Sequence, residues 1–353
     1  MNEESRDQEY SKNQRRINVL GGIIFVSAAT AFIVISTQVF SADWREWWVG
    51  IGGLLVGFVI ALVASVIMDY GAGCDYGLVS SPFWEYVLIR FRFLFVLFIL
   101  PMALTIVAGA FVTSYYRGPF VWSILLLRGM TFVVLIVFAG FVLPYLFGKI
   151  TGAESVGRGT RSVVDNIAAK MGVTIQGVYR VPLEGLRRAN AVQIGFVEGK
   201  KVVFLLGNWE EYFAKDELRA VLAHEFAHAK HNHIRKLLIA QLLCRLGVPG
   251  LIFLSVEVAM AALQIPKPAP VGVVLAFVGP AVLLLVGSIL FPAWLSRTYE
   301  TEADLQAAEV CGADAMISAL QRLAQLNLIP KEKAHLLSTH PSFGDRIRAL
   351  NNF

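Results

Sequence analysis

The stretch "VLAHEFAHAKHNHIRK", residues 221–236, sets four histidines and one acid beside a basic end. It follows a chain half that is mostly apolar. His224 and His228 are four residues apart, so on a helix their imidazoles share one face. Glu225 borders that face. This H-E-x-x-H spacing suits two neutral imidazoles on zinc, with the glutamate as general base toward water. Val221, Leu222, Phe226 and Ala227 around the trio are apolar or small. The helix is therefore expected to be buried, and buried histidine and glutamate need partners. A metal is one such partner.

A catalytic zinc takes a third protein ligand and keeps one position open. The extended pattern with a third histidine fails, because His231 stands at its glycine position and Ile234 at its last histidine position. His231 and His233 are read as outer or solvated histidines further along the same helix. The best third ligand is Glu300 in "SRTYETEAD", residues 296–304. Glu300 and Asp304 are four apart and share a helix face. One can ligate while the other orients an imidazole through its free N–H. Glu302 is expected to point elsewhere, into solvent.

The rest of the chain is that of a membrane protein. Of its 353 residues 56% are hydrophobic and 16% charged, and mean hydropathy is +0.61. Soluble chains carry about a quarter charged residues. Runs of about 20 apolar residues suit a bilayer core. Four occur early, at Ile17–Phe40, Trp47–Met68, Phe93–Thr113 and Gly129–Phe147. Two more follow at Leu246–Ile265 and Val271–Trp294. Trp44, Trp47, Trp48, Tyr115, Tyr116 and Trp122 sit where an interfacial belt is expected. Arg90, Arg92 and Arg128 at run edges read as snorkelling to headgroups. Six spans put both termini on one side. The connections at 41–46, 114–119 and 266–270 hold one basic residue each, against many in 148–236, so the polar side is cytoplasmic.

Net charge is +5, without the dense basic stripe or motif that nucleic-acid binding requires. The three cysteines, Cys74, Cys244 and Cys311, form no disulfide or metal pattern and read as small buried hydrophobes. Between residues 148 and 236, "SVVDNIAAKMG" has helical spacing and a glycine stop. "GVYRVP", "NAVQIGFVEG" and "KKVVFLLG" read as strands, the last two joined by a hairpin turn at "EGKK". "DELRAVLAHEFAHAKHNHIRK" is expected as one helix with Asp216 at its start. "SRTYETEADLQAAEVCG" is a helix stopping at Gly312, and another follows over Ala313–Asn327.

"HEFAH" followed by "SRTYETEAD" resembles the membrane zinc metallopeptidases of the HtpX and CAAX prenyl protease family, whose pattern is H-E-x-x-H and then E-x-x-x-D after a membrane hairpin. "NAVQIGF" is similar to that family's Asn-Ala strand, and "STHPSFGDRIRAL" to its closing segment. The likeness covers about Val178 to Leu350. It implies His224, His228 and Glu300 as zinc ligands, and Glu225 as base and later proton donor. Asp304 would hold the tautomer of His224, His340 would stabilise the tetrahedral oxyanion, and Asn190 with its strand would pair with substrate backbone. Four spans before the catalytic part, rather than the family's usual two, are a departure.

The fold expected is mainly α: polytopic membrane helices with a cytosolic α+β zinc protease domain of gluzincin type. Residues 1–16 would be a cytosolic tail and 17–147 a four-span module. Residues 148–236 would form the first part of the protease domain, 237–295 a membrane hairpin and 296–353 the second part. The resemblance implies a zinc metalloendopeptidase of the cell (inner) membrane, multi-pass, with its site on the cytoplasmic side. Its partners would be protein or peptide substrates and the lipid bilayer, with a role in membrane protein quality control. The alternative is a polytopic transporter or scaffold with a structural or vestigial zinc site. An intramembrane site is disfavoured by Glu217, Arg219, Lys230 and Arg235 on the histidine helix.

Overall fold

The computed structural model describes residues 3–39, 47–101, 103–104, 107, 129–130, 133–244, 262, 264, 271–329, 338 and 340–353. Part of the predicted run 93–113, including 108–113, and most of the run 246–265 therefore lie outside the described residues. So do the connections at 41–46, 114–119 and 266–270, Trp44, Tyr115, Tyr116, Trp122 and Arg128. The chain divides into two compact units. One comprises Met1–Arg92, Leu183–Ala189 and Leu323–Pro330; the other comprises the remaining segments.

The first unit is built on α1 (Glu3–Val39), α2 (Trp47–Asp75) and the start of α3 (Phe83–Leu94). Tyr10 stacks edge-on against Tyr76, and Gln14 donates to Asp69 at 2.8 Å, so α1 and α2 run antiparallel. The polar start of the chain is thus the first turns of α1. The core joins Tyr10, Ile17, Ala72, Leu78, Val79 and Tyr86 to Leu186 and Leu328 from the two later segments. Asp69 is buried there. It accepts from Tyr86 at 2.7 Å and from Gln14, and is ion-paired with Arg90. Arg90 therefore does not snorkel: it spends its charge on an internal acid, because a buried carboxylate needs a cation.

Two described helical stretches are long and apolar enough to cross a membrane, Val56–Asp75 and Val133–Thr151. The first expectation stopped at Met68; the helix runs on through Asp69, whose charge is satisfied inside. Val59, Ile60, Val63 and Ile67 face outward on α2, an apolar surface of the kind that suits a bilayer core. The cysteine expectation fails: Cys74 is exposed and Cys244 and Cys311 are half-buried, with no disulfide. Cys74 lies near the end of α2, past the packed part of that helix.

The second unit begins with the end of α3, a π-helical turn at Phe95–Ile99 and another at Phe138–Val142. Then come α4 (Leu143–Thr151), β1 (Glu154–Ser155), α5 (Arg158–Met171) and β2 (Gly177–Val181). After these follow β3 (Asn190–Ile194), β4 (Val202–Leu206) and α6 (Trp209–Tyr212). The strands form one sheet in the order β1-β2-β4-β3. The β3–β4 hairpin is antiparallel as expected, and β2 pairs with β4 in parallel. Gly195 ends β3 at φ +87, where an added Cβ would lie 2.6 Å from the Lys200 carbonyl oxygen, so only glycine makes this turn. β3 is an edge strand whose outer side pairs with none of the described strands.

Next come α7 (Lys215–Lys230), α8 (His233–Leu242), α9 (Val271–Cys311), α10 (Ala313–Asn327) and α11 (Phe343–Asn351). α7 packs against α9, α5 and β3. Ala220, Ala223 and Ala227 on α7, and Ala303 and Ala307 on α9, are wholly buried, so little side-chain bulk keeps neighbouring backbones apart. The start of α7 is set by Glu217, which accepts the Ala214 N–H at 2.8 Å; Asp216 sits in the first turn as predicted.

The single helix expected over 216–236 is broken. Asn232 takes φ 54, a left-handed conformation that asparagine tolerates, between α7 and α8. The buried Lys201 holds the break: its Nζ donates to the Ala229 carbonyl at 2.6 Å and to Asn232 Oδ1 at 2.9 Å. An ammonium at a helix C-terminus also complements the dipole. Lys201→Met leaves those acceptors unpaired, and should lower unfolding stability in denaturant titrations by about 1–3 kcal/mol.

Candidate metal centre

α7 and α9 supply the polar groups of the centre. His224, His228 and Glu300 each offer a donor atom to one small space. The two Nε2 atoms are 3.1 Å apart. Glu300 Oε2 lies 3.7 Å from His224 Nε2, and its Oε1 lies 3.4 Å from His228 Nε2. Zinc–nitrogen and zinc–oxygen bonds of about 2.0–2.2 Å imply tetrahedral edges of about 3.3–3.5 Å. The three separations bracket that range, and two imidazoles with one carboxylate form a donor set that zinc accepts. The group fits a tetrahedral ion with one position left over.

The other ring nitrogens face inward partners. His224 Nδ1 lies 2.9 Å from Asp304 Oδ1, close but poorly aligned for a hydrogen bond. His228 Nδ1 lies 2.9 Å from His233 Nδ1. Asp304 is gripped by Arg346, whose Nε and Nη2 donate to its two oxygens at 2.7 and 2.6 Å. Arg346 also lies 3.6 Å from Glu300 and over the Phe343 ring. Glu225 is buried one position after His224, and its charge acts on both His228 and Arg346.

His340 reaches the centre from the segment before α11. Its Nδ1 lies 3.0 Å from Glu300 Oε2, while 64% of its side chain stays exposed. Arg297, one turn before Glu300, donates to the Ser338 carbonyl at 2.7 Å, and Ser338 Oγ in turn donates to the His340 carbonyl. α11 is started by Ser342, which accepts the Asp345 N–H and donates to that carboxylate. Asn190 stands apart from this cluster, exposed at the start of edge strand β3, its Oδ1 taken by the Ala191 N–H.

Charge balance follows from burial. Burial pushes the Glu300 carboxyl up, but His228, His340, His224 and Arg346 outweigh it and hold it well below the usual carboxylate range. Burial raises Asp304 too, and the Arg346 guanidinium overcomes it, so Asp304 is held low and Arg346 high. His228 is pushed down by burial and up, on balance, by Glu300 and Glu225.

Three features went unread in the sequence. Arg346 is buried four residues before the buried Leu350, and the inward spacing of the closing helix was its only signal. Glu302 is not simply solvated: it lies 3.3 Å from His231 Nδ1 and 3.2 Å from His233 Nε2. His231 and His233 do not continue α7; the turn at Asn232 folds His233 back onto His228.

Two histidines and an adjoining acid on one helix, a carboxylate from a second and a small mixed sheet alongside make up a metallopeptidase. Residues 157–353 match the family model described as peptidase family M48. The chain belongs to that family and is a membrane metalloprotease. Protease HtpX of Chromohalobacter salexigens is 28% identical over 212 residues, covering 53% of this chain and 69% of that protein. Protease HtpX of Ectopseudomonas mendocina is 29% identical over 206 residues, with 53% and 70% covered. The crystal structure of S. mikatae Ste24p shares the fold with a TM-score of 0.67 and 17% identity, across 99% of this chain and 88% of that one.

Removing the guanidinium leaves Asp304 buried and unpaired. Arg346→Met should therefore destabilise the metal-free protein by about 3–5 kcal/mol, read by denaturant unfolding in detergent. Metal binding needs neutral imidazoles. Because His228 is held above its ordinary value of about 6.5, protons compete from above that pH. Zinc affinity measured by chelator competition should fall as pH drops through that value and be restored on return to pH 8.

Proposed function

We propose that the chain is a zinc metalloendopeptidase that hydrolyses peptide bonds of membrane or membrane-adjacent proteins. The observation that carries this reading is the convergence of His224, His228 and Glu300 at tetrahedral spacing beside a buried Glu225. When bound, zinc supplies Lewis acidity, lowering the pKa of water toward about 7 and polarising the scissile carbonyl. His224, His228 and Glu300 hold it, and Asp304 and Arg346 fix the first and third of these. Glu225 takes the proton of the attacking water and returns it to the leaving amine. His340, exposed beside Glu300, donates toward the developing oxyanion.

Substrate backbone is received as an added strand along the outer side of β3, beginning at Asn190. Two observations support this: that edge is unpaired among the described strands, and β3 packs against α7. The division read from the sequence stands as part of the proposal, with 17–147 a four-span module and 237–295 a membrane hairpin between the two parts of the protease domain. So does a multi-pass arrangement in the cell membrane with the site on the cytoplasmic side. Its support is the scarcity of Lys and Arg in the connections at 41–46, 114–119 and 266–270. A role in membrane protein quality control is proposed with it, from the family resemblance alone.

The test is cleavage of an unfolded membrane-protein substrate by purified protein, with metal content measured alongside. Glu225→Gln should lose at least about 10²-fold in cleavage rate while keeping its zinc, and His340→Ala should lose rate with zinc retained. A chelator should abolish cleavage, and added zinc should restore it. Full activity in Glu225→Gln would leave a structural zinc site on a scaffold as the better reading.

A further inference from the structure

The histidine helix ends in a second cluster, His231, His233 and Glu302, whose ligand-capable atoms also converge. It looks like a second cation site, but proton bookkeeping assigns it another task. His228 faces Glu300 and His224 with Nε2, so a neutral His228 that ligates there carries its proton on Nδ1. That proton points at His233 Nδ1, 2.9 Å away, which must accept it. A neutral His233 that accepts at Nδ1 carries its own proton on Nε2. That nitrogen lies 3.2 Å from Glu302 Oε2. The Nε2 lone pair a second metal would need is therefore absent. Filling both sites would require an imidazolate, because one proton serves the two facing Nδ1 atoms.

We propose that His233 is a positioning residue for the metal centre, passing the carboxylate of Glu302 inward to fix the tautomer and ring plane of His228. Ligating histidines ordinarily lean on a carboxylate, a carbonyl or water. His224 does so through Asp304; His228 leans on an imidazole, which in turn leans on a carboxylate. The ring of His233 is held for this. It is 3% exposed on its side chain and stacks on Tyr299 at 4.3 Å and 4° between planes. Lys236 covers the same Tyr299 ring. Glu302 is kept in place from outside by His231, whose Nε2 is taken by Gln306. The break at Asn232 has a purpose on this view: a continuous helix would carry His233 round to another face, five residues past His228.

The inference rests on the metal reading proposed above, and the experiment separates the two. Zinc dissociation constants are measured by chelator competition on the full chain in detergent, together with zinc stoichiometry and unfolding of the metal-free protein. His224→Ala reports on the metal reading: it should abolish tight binding. His233→Phe keeps a ring to stack on Tyr299 but cannot accept a proton. It should bind one zinc per chain about 10–100-fold more weakly. His233→Gln should recover most of that loss, since its amide oxygen accepts from His228 and its NH2 donates to Glu302. A purely packing role would be served by Phe rather than Gln. Should His233→Phe not fold, Glu302→Ala, at a residue 42% exposed, reads the outer link alone and should weaken zinc several-fold. Wild-type affinity in His233→Phe, or no recovery in His233→Gln, overturns the relay while leaving the metal reading intact. A second zinc per chain that disappears in His231→Ala overturns it as well. A wild-type chain that holds no zinc overturns both.

Discussion

Two carboxylates four residues apart on one helix, Glu300 and Asp304, are buried together, and the surrounding structure supplies the compensation they need. An isolated buried carboxylate is too costly to persist ionised. The partners come from segments remote in sequence: imidazoles from α7, a guanidinium from α11 and a further imidazole from the segment before it. Arg346 does the most, since its Nε and Nη2 grip Asp304, its Nη1 lies 3.6 Å from Glu300, and its burial would itself be costly without Asp304. The arrangement explains why the closing residues must dock for the centre to exist. Without α11, α9 would bury an acid pair against neutral rings.

The same logic places the sheet. β4 begins one residue after Lys201, and that lysine crosses to the end of α7. The hairpin thus holds α7 by its C-terminus and, through β3, along its flank. A substrate strand added outside β3 would extend a sheet already anchored to the histidine helix. Binding and chemistry are then fixed to one element rather than to loops that move independently.

Much of this could be read from residue spacing. The pairs His224/His228 and Glu300/Asp304 announce themselves because four residues is a local helical repeat that needs no knowledge of the fold. Glycine stops at Gly172 and Gly312, and the hairpin between β3 and β4, are equally local. The misses were all long-range. The turn at Asn232 depends on Lys201, thirty-one residues earlier, and without it His233 looks like one more residue on a helix. Glu302 was judged by its rotation from Glu300, which ignores what stands on its own side. Arg346 went unread and Arg90 was read as snorkelling, because their partners, Asp304 and Asp69, are set by tertiary packing. The recruitment of Leu183–Ala189 and Leu323–Pro330 into the first unit has no sequence pattern at all.

α9 runs without interruption for 41 residues, from the apolar stretch at Val271 through Glu300 to Cys311. At 1.5 Å per residue that is a rod of about 62 Å. From the middle of the apolar stretch to Glu300 is about 25 Å, so a tilt of about 5° there displaces the carboxylate by about 2 Å. Gly287 and Pro292 lie on that arm, but beyond them no glycine, proline or loop stands between Trp294 and Glu300 to absorb such a movement. Where Val271–Trp294 lies in a bilayer, the thickness of the surrounding lipid becomes a parameter of coordination geometry, set by hydrophobic matching many ångströms from the ion.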